Sequence, residues 1–260
     1  MFSRDVLSID AARVTDEIVS KLREQVLGTL RRKGAVVGLS GGIDSSVVAS
    51  LAVRAFGKEK VLGLFMPERD SSGDALVLGR MIAEHLGIPA VVEDIAPALA
   101  GLGCYARQNE AIRMVFPEYG DGYKCKITLP SILEGERLNV SQLTIEAPSG
   151  EQKTARMPAA CYLQLVAATN FKQRVRKMME YYHADRLGYA VLGTPNRLEY
   201  DQGFFVKQGD GAADAKPIAH LYKTQVYALA AHLDVPPEIR ARPPTTDTFS
   251  MSQTQEEFYF

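Results

Sequence analysis

The sequence predicts an α/β fold in which a doubly wound, mostly parallel sheet carries helices on both faces. Three observations support this. Short apolar, β-rich runs alternate with segments of helical spacing; two of those runs, at Ala35-Val36-Val37 and Tyr189-Ala190-Val191-Leu192, empty into glycine turns; and 46% apolar content over 260 residues supplies a full core. A single domain spanning 1–260 is expected. Thirty basic residues against 31 acidic leave a net charge of −1, so no global field points to a nucleic acid or a membrane surface as partner. Cys104, Cys125 and Cys161 are widely spaced and form no C-x-x-C, which argues against zinc, a thiol relay or a disulfide framework. The start, Met1-Phe2-Ser3-Arg4-Asp5, has no apolar signal core, and no apolar run reaches 18 residues, so a soluble cytoplasmic protein is expected.

Taken in order, Asp10 to Arg32 carries Ile18, Leu22, Val26 and Leu30 at four-residue steps, which predicts an amphipathic helix against the sheet. The run at 35–37 is the first strand, and a helix follows to about Phe56-Gly57. Lys60 to Phe65 is a second strand, giving a βαβ unit with a right-handed crossover. Ser71-Ser72-Gly73-Asp74 caps a helix through about His85, and Ile88 to Val92 makes a third strand. Between residues 120 and 157 the pattern changes: Lys124 to Leu129 and Leu138 to Ile145 alternate apolar and polar residues, with a further short piece at Lys153 to Arg156, predicting a β-hairpin-like insertion or small meander. Ala159 to Leu187 is helical, read as two helices meeting near Thr169-Asn170. Its Lys172, Arg174, Arg176 and Lys177 suit a solvated face.

The stretch that organises the rest is Gly38-Leu39-Ser40-Gly41-Gly42-Ile43-Asp44-Ser45-Ser46. Glycines without Cβ let several backbone N–H groups approach one anion, and the start of the next helix adds partial positive charge, so a phosphate is the natural guest. Neither G-x-x-x-x-G-K-[ST] nor G-x-G-x-x-G occurs at this strand. Ser-Gly-Gly-x-Asp-Ser-Ser instead resembles the pyrophosphate loop of the ATP pyrophosphatases, a Rossmann-like superfamily related to the adenine nucleotide alpha hydrolases, which cut ATP between its α and β phosphates. Read alone, the stretch is a strand-to-helix turn in which Asp44 is either a cap or a magnesium ligand.

A second block, Gly193-Thr194-Pro195-Asn196-Arg197-Leu198-Glu199, then Gly203 to Gly211, Asp214, and Leu221-Tyr222-Lys223-Thr224, makes the whole resemble the ammonia-dependent NAD synthetase family over roughly Val36 to Asp247. The resemblance implies that the carboxylate of deamido-NAD attacks the α-phosphate of ATP and that ammonia then displaces AMP. It further implies that Gly38, Ser40, Gly41, Gly42, Ser45 and Ser46 cradle the β and γ phosphates, that Asp44 and Glu199 hold Mg2+, and that Thr194, Lys223 and Thr245 bind ATP. Arg174, Lys207 and Asp214 match positions that hold the dinucleotide. Asp44, Glu199, Lys207 and Lys223 are accordingly the expected catalytic set, and a homodimer is implied, supported by the apolar load of 159–187.

Each residue has a plainer reading: Glu199 as a helix-start carboxylate, Lys207 as a solvated residue, Asp214 as a turn former. Two features depart from the family pattern. The 119–158 segment is longer and more β-like, and the chain stops at Phe258-Tyr259-Phe260, where the family continues, so a shortened C-terminus is expected. Alternatives from other classes are a ligase of the same chemistry on another carboxylate, such as a nucleotide-linked sugar acid, an RNA-modifying pyrophosphatase, or a nucleotide-binding module without chemistry. No basic stripe or thiol motif favours the RNA enzyme. None of the cysteines sits in an arrangement suited to releasing ammonia from glutamine, so free ammonia is the expected nucleophile.

Overall fold

The computed structural model describes residues 3–128, 141–243 and 248–251. Leu129, Leu138 and Thr245, each named above, lie outside the described residues. In chain order the elements are α1 (Ala11–Leu22), β1 (Ala35–Gly38), α2 (Ile43–Phe56), β2 (Val61–Phe65), α3 (Gly73–Leu86), β3 (Ala90–Val92), α4 (Ala96–Gly101), α5 (Cys104–Arg113), β4 (Lys124–Thr128), β5 (Gln142–Glu146), β6 (Gln152–Arg156), α6 (Ala159–Leu187), β7 (Ala190–Val191), α7 (Arg197–Gln202), α8 (Lys223–His232) and α9 (Pro237–Ala241). Contacts divide the chain into two compact units. One comprises Met1–Pro67, Gly73–Ile95 and Gln173–Arg242; the other comprises Glu68–Ser72, Ala96–Lys172 and Pro243–Phe260.

The first unit holds the expected parallel sheet, in the order β3-β2-β1-β7. Alternation along β1 sends Ala35 and Val37 into one core, shared with Val47, Leu51, Ile18 and Leu229, while Val36 joins Leu62, Leu64, Ala184 and Val191 in another. Both faces are therefore covered, which is why the strands read as apolar runs rather than alternating ones. α2 is buried nearly all round. α1 is capped by the Asp10 carboxylate, which accepts from the N–H of Arg13 at 3.1 Å. The helix expected through Arg32 stops regular winding at Leu22 and continues as a wider turn over Arg23–Thr29, with the N–H of Leu30 donating five residues back to Gln25.

The second unit contains the antiparallel sheet β4-β5-β6, the meander read from 120–157, with three strands rather than a hairpin. Cys125, Ile127, Leu143 and Ile145 turn inward onto Ile112, Leu165 and Phe249. The segment at 248–251 is built into this unit: Ser250 Oγ accepts from the N–H of Cys125 at 2.9 Å, and the N–H of Met251 donates to the Cys125 carbonyl at 3.1 Å.

Two sequence expectations are corrected here. Ala159–Leu187 is one continuous 29-residue helix, because the Thr169 hydroxyl accepts from Gln108 Nε2 at 3.1 Å and needs no helix end to be satisfied. Lys172 and Lys177 are buried rather than solvated. Lys172 is 1% exposed and donates to Glu68 Oε1 (3.0 Å), Asp70 Oδ2 (2.7 Å) and the Thr248 carbonyl (3.0 Å), a complete set for an ammonium. Burial at such cost is sustained only by paired carboxylates, here further held by Tyr105 Oη on Glu68 and Arg69 on Asp70.

Candidate active site

In the sheet order, the chain winds from β1 to β2 and β3 in one direction and returns to place β7 on the other side of β1. The crevice outside the carboxyl ends of β1 and β7 is thus the switch point at which such sheets bind ligands. Leu39 to Gly42 leaves β1 there, and Gly193 to Asn196 leaves β7 there.

The loop after β1 is held by its own hydroxyls. Ser45 and Ser46 Oγ both donate to the Gly42 carbonyl, at 3.0 and 2.9 Å, and the N–H of Gly42 donates to Ser40 Oγ at 3.3 Å. Gly41 has φ +73°, and a Cβ on it would meet the Ala75 carbonyl oxygen at 2.6 Å, so only glycine fits. Gly42 does not share that requirement, since its φ is −87°. α2 starts on Gly42 without any side-chain cap, which leaves the N–H groups of its first turn and its dipole available to an anion.

Asp44, in that first turn, is therefore not the cap. Its carboxylate is paired with the Lys223 ammonium and accepts from Asn196 Nδ2 at 3.2 Å. Asn196 opens α7: its Oδ1 accepts from the N–H groups of Leu198 and Glu199, while its own N–H donates to Glu199 Oε2 at 2.8 Å, closing a capping box. The helix-start reading of Glu199 thus holds locally. It does not exhaust the residue, because burial first and then the Asp44 charge push the Glu199 carboxyl up to about 7, with Lys223 acting against them. Two hard-oxygen groups and one ammonium meet at the switch point, brought there by α2, α7 and α8.

Of the remaining sequence candidates in this unit, Thr194 is half-buried and directly follows the strand end at Leu192–Gly193. Arg174 Nε donates to the Lys207 carbonyl at 3.1 Å, and the Lys207 side chain is exposed. Asp214 accepts from the N–H of Val191 at 2.8 Å and from Tyr181 Oη at 3.3 Å, which makes it a clamp on the end of β7. No described contact joins Arg174, Lys207 or Asp214 to the Asp44–Glu199–Lys223 group.

The sequence reading overlooked Asn196, although Asn-x-x-Glu ahead of a helix is a capping-box pattern that reveals it. It also overlooked Asp210, whose carboxyl is raised chiefly by burial and which acts on both Glu199 and Glu180. Nothing local marks that residue. The cysteines, by contrast, match expectation as buried thiols: burial pushes Cys104 up to about 11, and Cys104 and Cys161 donate to the carbonyls of Ala168 and Ala111.

The NAD synthase family profile matches residues 14–116 and 132–258. An NH(3)-dependent NAD(+) synthetase of Mesorhizobium japonicum is 68% identical over 255 residues, covering 98% of this chain and 80% of that protein. One from Rhizobium meliloti is 62% identical, covering all of this chain and 78% of the relative. Among solved structures, an NMN synthetase from Francisella tularensis superposes with a TM-score of 0.67 at 26% identity, over 96% of this chain and 81% of that one.

Proposed function

The chain belongs to the NAD synthase family, and on that premise we propose that the crevice between the ends of β1 and β7 is where it amidates deamido-NAD with ammonia at the expense of ATP. A carboxylate is a poor electrophile, so the reaction first supplies a leaving group. A carboxylate oxygen of the substrate attacks the α-phosphorus of ATP, and the bond to pyrophosphate breaks. Ammonia then attacks the acyl carbon, the bond to AMP breaks, and the nitrogen gives up a proton. The observation carrying the assignment of roles is the meeting of Asp44, Asn196, Glu199 and Lys223 beside the uncapped start of α2.

In this reading the Ser40–Ser46 loop, with Gly41 and Gly42, takes the β and γ phosphates on backbone N–H groups, and Thr194 and Lys223 complete the ATP site. Lys223 offsets charge that builds as pyrophosphate departs. Asp44 and Glu199 would hold Mg2+. The fit is supported by the donor set, two carboxylates both bonded to Asn196, whose repulsion adds to burial in raising the Glu199 carboxyl and would be relieved by a divalent cation on hard oxygen donors. The ion would supply charge neutralisation at the phosphates. Arg174, Lys207 and Asp214 are assigned to the dinucleotide, and residues 1–260 act as one catalytic domain. Exposed Tyr162, Leu163, Met178 and Tyr182 on α6 support a homodimer. No described helix is long and apolar enough to cross a membrane, and a cytoplasmic site of action is proposed.

The test uses deamido-NAD labelled with heavy oxygen in its carboxylate. One label must appear in AMP, and ADP as the nucleotide product would overturn the mechanism. Offering the corresponding mononucleotide alongside separates the two substrates, since faster AMP formation with the mononucleotide would reassign the carboxylate.

A further inference from the structure

Among the buried charged groups that the mechanism does not use is a pair beside β1. Lys177 and Glu180, both on α6, are 8% and 9% exposed in their side chains, and Lys177 Nζ lies 2.6 Å from Glu180 Oε2. The other carboxylate oxygen, Oε1, points at β1: a Cβ built on Gly38 would come within 3.0 Å of it and within 3.1 Å of Met66 Cε. Gly38 is the last residue of β1, two positions before Ser40, and is half-buried. Met66 ends in a flexible thioether that can swing aside. Glu180 is different, because moving its carboxylate stretches its bond to Lys177 at a buried position.

We propose that Glu180, held by Lys177, is a positioning residue of the amidation: it fixes the end of β1 from which the phosphate loop departs, and Gly38 is glycine to admit that carboxylate rather than a phosphate. This deepens the ATP-site assignment above and rests on it. The pair also explains how a carboxylate is tolerated behind a polyphosphate site. Lys177 cancels its charge locally, while Arg176 and Asp210, the other charged groups acting on Glu180, have opposite signs. With Lys177 removed, Glu180 must either take up a proton, as its burial favours, or present uncompensated negative charge to the loop that must receive ATP.

The decisive experiment is a double-mutant cycle on the full chain, with ATP varied at saturating deamido-NAD and ammonia. Gly38→Ala is expected to raise the ATP KM about tenfold in the wild-type background, and to change it by less than about twofold in a Glu180→Ala background, where the methyl has room. An equal penalty in both backgrounds would give the space at Gly38 to the phosphate and overturn the proposal. Where Gly38→Ala does not fold, a second cycle decides. Lys177→Met should raise the ATP KM more than that for ammonia, and Lys177→Met/Glu180→Gln, which removes both charges, should restore it. Failure of that restoration counts equally against the proposal. Calorimetric ATP binding reads the same cycles without turnover. A wild type that bound ATP but formed no AMP would therefore refute the reaction, while these cycles still decide the role of Glu180.

Discussion

Replacing Glu199 by Gln should abolish the part of the protein's pH-dependent stability that this carboxyl supplies. In the folded chain burial and Asp44 raise the Glu199 carboxyl from 4.5 to about 7. Between those values the folded protein holds a proton that the unfolded chain has released, so stability falls as pH rises. The contribution is complete below 4.5 and lost once pH passes about 7. That gap corresponds to about 3 kcal/mol, or a melting shift of roughly 6–10 °C in a protein of this size. Gln keeps an oxygen that can accept from the N–H of Asn196, so the capping box survives while the titration disappears. The assay is thermal unfolding of wild type and Glu199→Gln at pH 5, 6, 7 and 8 in a metal chelator. Near pH 5 the two should be similar; at pH 8 the variant should melt several degrees higher. Magnesium with ATP should then raise the wild-type midpoint at pH 8 more than that of the variant. Parallel curves from pH 5 to 8 would refute the reasoning, since they would mean that Glu199 ionises as easily in the fold as in water.

Asp44→Asn should depress the chemical step by about three orders of magnitude or more while leaving the fold intact, since Asn196 can still bond the amide; near-normal turnover would demote Asp44 to a structural partner of Lys223. Lys172→Met leaves Glu68 and Asp70 buried without their ammonium and should cost about 3–5 kcal/mol, read as a lower midpoint in thermal unfolding. A far smaller loss would show that those carboxylates find other partners. Alanine at Cys104, Cys125 and Cys161 together should preserve ammonia-supported amidation at some expense in stability, and glutamine alone should not replace ammonia. Abolition of a strong glutamine-dependent activity by one of these changes would overturn the free-ammonia assignment. Light scattering at micromolar concentration should give twice the 28.5 kDa chain mass, and a monomer would contradict the dimer.

What the sequence disclosed was local. The strand-to-helix loop at 35–46 and the alternation at Lys124 to Leu129 and Leu138 to Ile145 write their structure in neighbouring residues, and within the described residues the loop and the strands Lys124–Thr128 and Gln142–Glu146 fall in those stretches to within a residue. The family motif located Asp44, Glu199 and Lys223, and the fold brings all three together. Lys172 and Lys177 were misread because helical spacing shows which residues share a stripe but not what lies opposite it. The partners that bury Lys172, Glu68 and Asp70, are 104 and 102 residues away. Thr169 looked like a helix boundary for the same reason: its hydroxyl is satisfied by Gln108, 61 residues earlier. Gly42 shows the limit of reading glycine pairs, since Gly41 alone takes up the left-handed backbone.

The bond between Asp44 and Lys223 spans 179 residues, and β1 meets its β7 neighbour through Ala35 and Ala190. During synthesis Asp44 therefore leaves the ribosome on the order of ten to forty seconds before its ammonium partner exists, at ordinary elongation rates. Over that interval β1 can pair with β2, but one side of the switch point has no wall, and the aspartate stands without Lys223 and Asn196. The nascent chain must wait for its last third before the cluster of Asp44, Asn196 and Lys223 can form. Non-local closure of this kind is the slow step in folding, so β7 docking and α8 arrival should be the late events of this protein's maturation.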